Sequence, residues 1–81
     1  MLTKPEQAQE LAHYHTYALG SRLRKQRRSV NKSQEAVAKL TGLKATAISN
    51  FETGSRVPCV KNLLLLCVAV ECSPNKLLLG D

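Results

Sequence analysis

The chain has 81 residues, 43% of them hydrophobic, and a formal net charge of +6. That composition supports one small core, burying about 60% of the surface an unfolded chain exposes, and leaves no room for a second folded unit. The longest apolar run, Leu63 to Val70, is far below the roughly 20 residues that span a bilayer. The amino-terminal MLTKPEQAQE also lacks the apolar stretch of a secretory signal, so the expected setting is cytoplasmic, away from membrane.

β-Branched residues are sparse and no alternating run is bounded by turn signals, which predicts an all-α fold. Thr3 and Glu6 have capping-box spacing and Pro5 suits a first turn, so a helix starts near Lys4. Leu11, His15, Ala18, Leu19, Leu23 and Gln26 then recur every three or four residues to about Ser29. This pattern fits one long helix or two with a break near Thr16. Asn31 suits the left-handed conformation that ends a helix, with Val30 beside it tucked into the core.

Ser33 caps a second helix, Gln34 to Thr41, with Val37, Ala38 and Thr41 turned inward and Gly42 as its stop. A third, near Ala45 to Thr53, sets Ala47, Ile48 and Phe51 on one face, opposite Ala45, Thr46, Ser49 and Asn50, and ends at Gly54. After the loop SRVP, Cys59 or Val60 opens a fourth helix carrying Val60, Leu63, Leu66, Cys67 and Val70. Ser73 and Pro74 begin a short fifth with Leu77 and Leu78 facing in.

Between Arg22 and Lys44 stand eight basic residues and one acid, Glu35, a block that suits a polyanion. Only Tyr14, Tyr17 and Phe51 are aromatic, which argues against the stacking platforms that grip single strands or RNA loops. A helix that enters a major groove must expose short polar side chains while a preceding helix holds it at a fixed angle. Ala38, Gly42, Leu43, Ile48 and Phe51 supply the brace, and Thr46, Ser49 and Asn50 the polar ridge. Gln34 carries an amide able to pair twice with an adenine edge.

Other chemistries fare worse. Cys59, Cys67 and Cys72 lack paired spacing and read as core thiols; with His13 or His15 they make a poor zinc set, and no metal or cofactor is expected. Ser33, Ser49 and Cys59 have no base and orienting acid at a recognisable spacing, and the four glycines are too scattered to cradle a phosphate, so no catalytic residue is assigned.

Taken in order, LGSRLRKQRR, SQEAVAKLTGL, AISNFETGSRVP and SPNKLL resemble the helix-turn-helix domains of phage Cro and lambda-type repressors, from about Leu19 to Leu78. The resemblance implies a five-helix DNA-binding domain over residues 18–81, preceded by an extra helical segment over residues 1–17. It implies that Gln34 contacts a base and a phosphate, and that Ala45, Thr46, Ser49 and Asn50 read the groove with Lys44 at the edge. Ser33 and Arg56 hold the backbone, joined by Arg22, Arg24 or Lys25 from the first helix. The resemblance also implies an ion pair between Arg27 and Glu52. Three positions depart from the family pattern: Lys32 and Gln26 stand where apolar residues are usual, and Lys44 replaces a capping serine or threonine.

The fourth helix is more apolar than its inward stripe requires. Leu64, Leu65 and Leu79 therefore form an expected dimer face, since family members commonly pair through their carboxyl-terminal helices. The competing cover is the amino-terminal segment folded back through Leu2, Leu11 and Tyr14. The expected protein is a sequence-specific regulator of transcription that binds double-stranded DNA, a homodimer on a palindromic operator, of Cro-like, prophage or restriction-modification controller type. No small-molecule effector is expected. The alternative is an antitoxin whose amino-terminal segment binds a toxin protein while the rest represses its own operon.

Overall fold

The computed structural model describes residues 4–80 and consists of five helices: α1 (Pro5–Ser29), α2 (Gln34–Thr41), α3 (Ala45–Thr53), α4 (Val60–Ala69) and α5 (Pro74–Leu79), with no strand among the described residues. α1 packs along α3 and α5, α2 against α3 and α4, and α4 on α5. Leu19, Leu23, Val37, Ile48, Phe51, Leu66, Val70 and Leu77 meet in the single core.

α1 is continuous through Thr16, whose hydroxyl donates to the Ala12 carbonyl one turn earlier. Thr3, expected as its cap, lies outside the described residues. The N-cap is Lys4, whose backbone N–H donates to the Gln7 side chain at 3.3 Å. The inward stripe is shorter than its periodicity suggests. Leu11 is 54% exposed and His15 is exposed, because the bundle begins at Leu19 and the preceding turns pass beyond it. Pro5 to His15 thus projects as about 16 Å of helix, Tyr17 already lying close to Gly54 at the end of α3. This raises the radius of gyration to 13.1 Å, where a compact chain of this length has about 12 Å. The projection also overturns the fold-back cover for α4, since α1 carries Leu11 and Tyr14 out into solvent while Leu64 stays exposed; Leu2 lies outside the described residues.

Gly20 explains how α1 and α3 come so close. A Cβ there would sit 2.2 Å from the Phe51 carbonyl oxygen and 2.8 Å from that of Glu52, so any other residue drives the helices apart. The ordinary cost of glycine within a helix, about 1 kcal/mol, is the condition of that approach.

Helix ends follow the local chemistry. The Ser33 hydroxyl accepts from the Ala36 N–H at 3.0 Å, and Gly42, at φ 77°, donates to the Ala38 carbonyl at 2.9 Å. Between them Thr41 donates to the Val37 carbonyl and accepts from the Leu43 N–H, so one hydroxyl closes α2 and fixes the turn into α3. Ser73 holds the N-cap position of α5 without a side-chain hydrogen bond.

The polar departures at Gln26 and Lys32 have partners distant in the chain. Gln26 donates to the Val70 carbonyl at 3.0 Å and Lys32 to the Ala69 carbonyl at 2.5 Å, serving carbonyls that the end of α4 leaves without helical donors. Lys32 also pairs with Glu71 at 3.3 Å. Asn31 (φ 57°) and Glu71 (φ 62°) are the non-glycine residues in the left-handed region among those described. Val30 packs against the core beside them.

Two inward expectations are corrected. Val60 is 74% exposed, since it sits in the first turn of α4 at the edge of the apolar stripe, where no helix covers it. Leu78 is 47% exposed, since α5 turns one side to the core and Leu77 occupies it. Cys67 is buried, which pushes its thiol pKa up to about 11, and burial also raises that of Cys72. Cys59 is exposed and differs from the expected core thiol, because it stands outside α4 as its N-cap.

Candidate nucleic-acid interface

α3 lies with Ile48 fully buried and Phe51 nearly so, which turns Thr46 out to solvent and leaves Ala45, Ser49 and Asn50 half-buried along the same ridge. Lys44, Thr46, Asn50, Arg56 and Asn62 line a shallow cleft at its edge. The loop after α3 is fixed to the helix rather than loose. The Arg56 N–H donates to the Asn50 carbonyl at 3.2 Å, and the Thr53 and Ser55 hydroxyls bond at 2.9 Å. Arg56 therefore keeps a set position relative to the ridge. Lys44, the N-cap of α3, makes no side-chain cap bond, so its ammonium stays in solvent beside the cleft.

Behind the ridge stands Glu52, its side chain 2% exposed. Arg27 donates through Nε at 2.6 Å and through Nη2 at 3.0 Å, a two-pronged pair, while its Nη1 serves the Lys32 carbonyl at 2.9 Å. The hydrogen bond to Glu52 raises the Arg27 pKa still further, against the opposing effect of burial. Glu52 also accepts from the Gln34 amide at 3.2 Å, and Arg24 Nε stands 4.0 Å away. No buried side-chain nitrogen or oxygen among the described residues lacks a partner, so α1, α2 and α3 are tied through one carboxylate.

The basic residues of α1 divide by face. Successive residues turn by about 100°, so Arg24 and Arg27 face α3 while Arg22 and Lys25 face away. Arg22 donates to the carbonyls of Leu77 and Leu78, at 3.1 and 2.9 Å, capping α5. Lys25 lines a pocket with Arg22 and Lys76 on that far side. Of the three cations expected at phosphates, Arg22 is thus engaged by α5, Lys25 is exposed on that same side, and Arg24 alone stands beside α3. Ser33 is exposed at the start of α2, where its Oγ accepts a hydrogen bond and its hydroxyl proton remains available.

Asn62 was not anticipated. It lies three residues into α4, yet the loop brings it to the cleft beside Arg56. Its only sequence signal is its place beside Lys61 in the first turn of α4, the two polar residues of an otherwise apolar helix.

On a different face, Val60, Leu64, Leu65 and Val68 of α4 form an apolar groove edged by Lys61. Val68 is 78% exposed and was missing from the expected patch, whereas Leu79, 65% exposed on α5, does not line the groove.

A family model described as a helix-turn-helix domain matches residues 18–78. Repressor protein C2 of Salmonella phage P22 is 39% identical over 66 residues, 82% of this chain and 31% of that protein. The HTH-type transcriptional regulator DicA of Escherichia coli K12 is 33% identical over 63 residues, 78% of this chain and 47% of that protein. The chain thus spans less than half the length of these two curated relatives. Among solved structures, P22 c2 repressor in complex with a synthetic operator superposes with a TM-score of 0.73 at 40% identity, covering 78% of this chain and 96% of that one. The restriction-modification controller protein C.AhdI of Aeromonas hydrophila gives 0.74 at 34% identity, covering 76% and 94%.

Proposed function

We propose, since this chain belongs to the helix-turn-helix family of lambda-like repressors, that it is a sequence-specific regulator of transcription that binds double-stranded DNA as a homodimer, acting in the cytoplasm on a palindromic operator. The observation that carries this reading is the α3 ridge: Thr46, Ser49 and Asn50 line one edge, rigidly backed by Ile48 and Phe51, with Arg56 fastened to the same helix. Short uncharged side chains there suit base edges, and the bordering cations suit phosphates.

In this assignment Gln34, Ala45, Thr46, Ser49 and Asn50 read bases with Lys44 at the margin, and the Ala45 methyl meets a thymine methyl. Ser33, Arg24 and Arg56 hold phosphates. The α4 face of Val60, Leu64, Leu65 and Val68 meets its twofold copy, because monomers seldom leave such contiguous apolar surface in water. Two reading helices then engage half-sites about 34 Å apart. Residues 1–17 are an addition to this unit rather than part of it.

Selection of bound fragments from a random duplex pool tests the reading. A palindrome whose half-site centres lie one helical turn apart is the expected product, and unrelated sequences without symmetry would contradict it. With about 6 to 10 phosphates contacted by the dimer, affinity for the selected site falls roughly 10³- to 10⁵-fold between 50 and 200 mM salt.

A further inference from the structure

Glu52 supports more than the Arg27 pair. Its carboxylate is almost wholly out of solvent, and the third donor it accepts is the side-chain amide of Gln34, half-buried at the start of α2. A carboxylate held by an arginine has no proton to give, so only the NH₂ side of that amide can face it. The polarity of the Gln34 amide, normally free to turn end for end, is fixed by chemistry from inside the protein.

We propose that Glu52 is a positioning residue for sequence reading: by locking the Gln34 amide it determines which strand carries adenine at the base pair that Gln34 meets. This rests on the proposed function above. Adenine offers an N6 donor and an N7 acceptor side by side, which an amide matches with Oε1 and one N–H. One of the two Gln34 N–H groups goes to Glu52, leaving Oε1 and the other for the base. Thymine in the same place offers O4 and a methyl group. A free amide would turn over and donate to O4, recovering one hydrogen bond. The locked amide cannot turn, so it opposes its own oxygen to O4. Rigidity therefore converts a tolerant contact into one that distinguishes A·T from T·A.

The test begins by comparing sites selected by the wild type and by Gln34→Ala; the base pair whose preference changes is the one Gln34 reads. At that pair, the wild type is expected to favour one strand order roughly tenfold. Glu52→Gln turns one acceptor into a donor that tolerates the reversed amide, and should reduce the preference at this pair below about threefold, a larger relative loss than at any pair Gln34 does not meet. A folded Glu52→Gln protein that keeps the full strand preference overturns the proposal. If Gln34→Ala alters no position, the base-reading role of Gln34 fails instead, a separate outcome. Should Glu52→Gln not fold, solvent exchange of the Gln34 side-chain amide in the wild type decides: exchange about tenfold slower than at exposed Gln9 supports the lock, and equal rates overturn it.

Discussion

α3 and α4 each turn one face to water, and the two faces differ in the kind of partner they ask for. The α3 ridge is made of Thr46, Ser49 and Asn50, polar groups that lose little in water and lie over a tightly fixed base of Ile48, Phe51 and Glu52. The α4 face is Val60, Leu64 and Val68, which gain by leaving water and have no cover among the described residues. Polar groups on a rigid support suit reversible reading of a polar groove. Apolar groups on an open helix suit a longer-lived association. Exposure is common to both; the side-chain chemistry separates them.

The largest expected effect comes from removing the support of the ridge. Arg27→Met strands the Glu52 carboxylate in the interior and should destabilise the fold by about 3 to 5 kcal/mol in chemical unfolding, where a loss below about 1 kcal/mol would show that the pair behaves as a surface one. Gly20→Ala attacks the same support from outside. Its new methyl meets the Phe51 carbonyl, a backbone atom with nowhere to move, and about 1 to 3 kcal/mol of stability should be lost on thermal or chemical unfolding. An unchanged stability would mean that α1 and α3 can separate without cost. On the other face, Val68→Lys should leave monomer stability within about 0.5 kcal/mol. It should weaken self-association roughly tenfold in sedimentation equilibrium. Equal association by both proteins would remove α4 from the dimer.

The helix boundaries were legible because their determinants are local: Ser33 before α2, Gly42 and Gly54 after α2 and α3, and Pro74 opening α5 each act on the next few residues. The inward side of α3 was legible from spacing for the same reason. What the sequence hid depends on partners far along the chain. Gln26 and Lys32 read as polar intrusions until the end of α4 supplies carbonyls for them. Arg22 and Arg24, two residues apart, look equivalent until α5 takes one and α3 the other. Gly20 looks incidental until the Phe51 carbonyl is placed against it. In the candidate site, the ridge and Arg56 stand out from the sequence, but the tie from Gln34 to Glu52 and the approach of Asn62 belong to the tertiary arrangement alone.

The central claim is that the α3 ridge reads sequence while its cationic margin does not, and competition binding with specific and random duplexes measures that division directly. Asn50→Ala or Thr46→Ala should lower the ratio of specific to random affinity by about 1 to 3 kcal/mol, while Arg56→Ala weakens both duplexes alike. If all three variants weaken both duplexes in the same proportion, α3 does not read the groove.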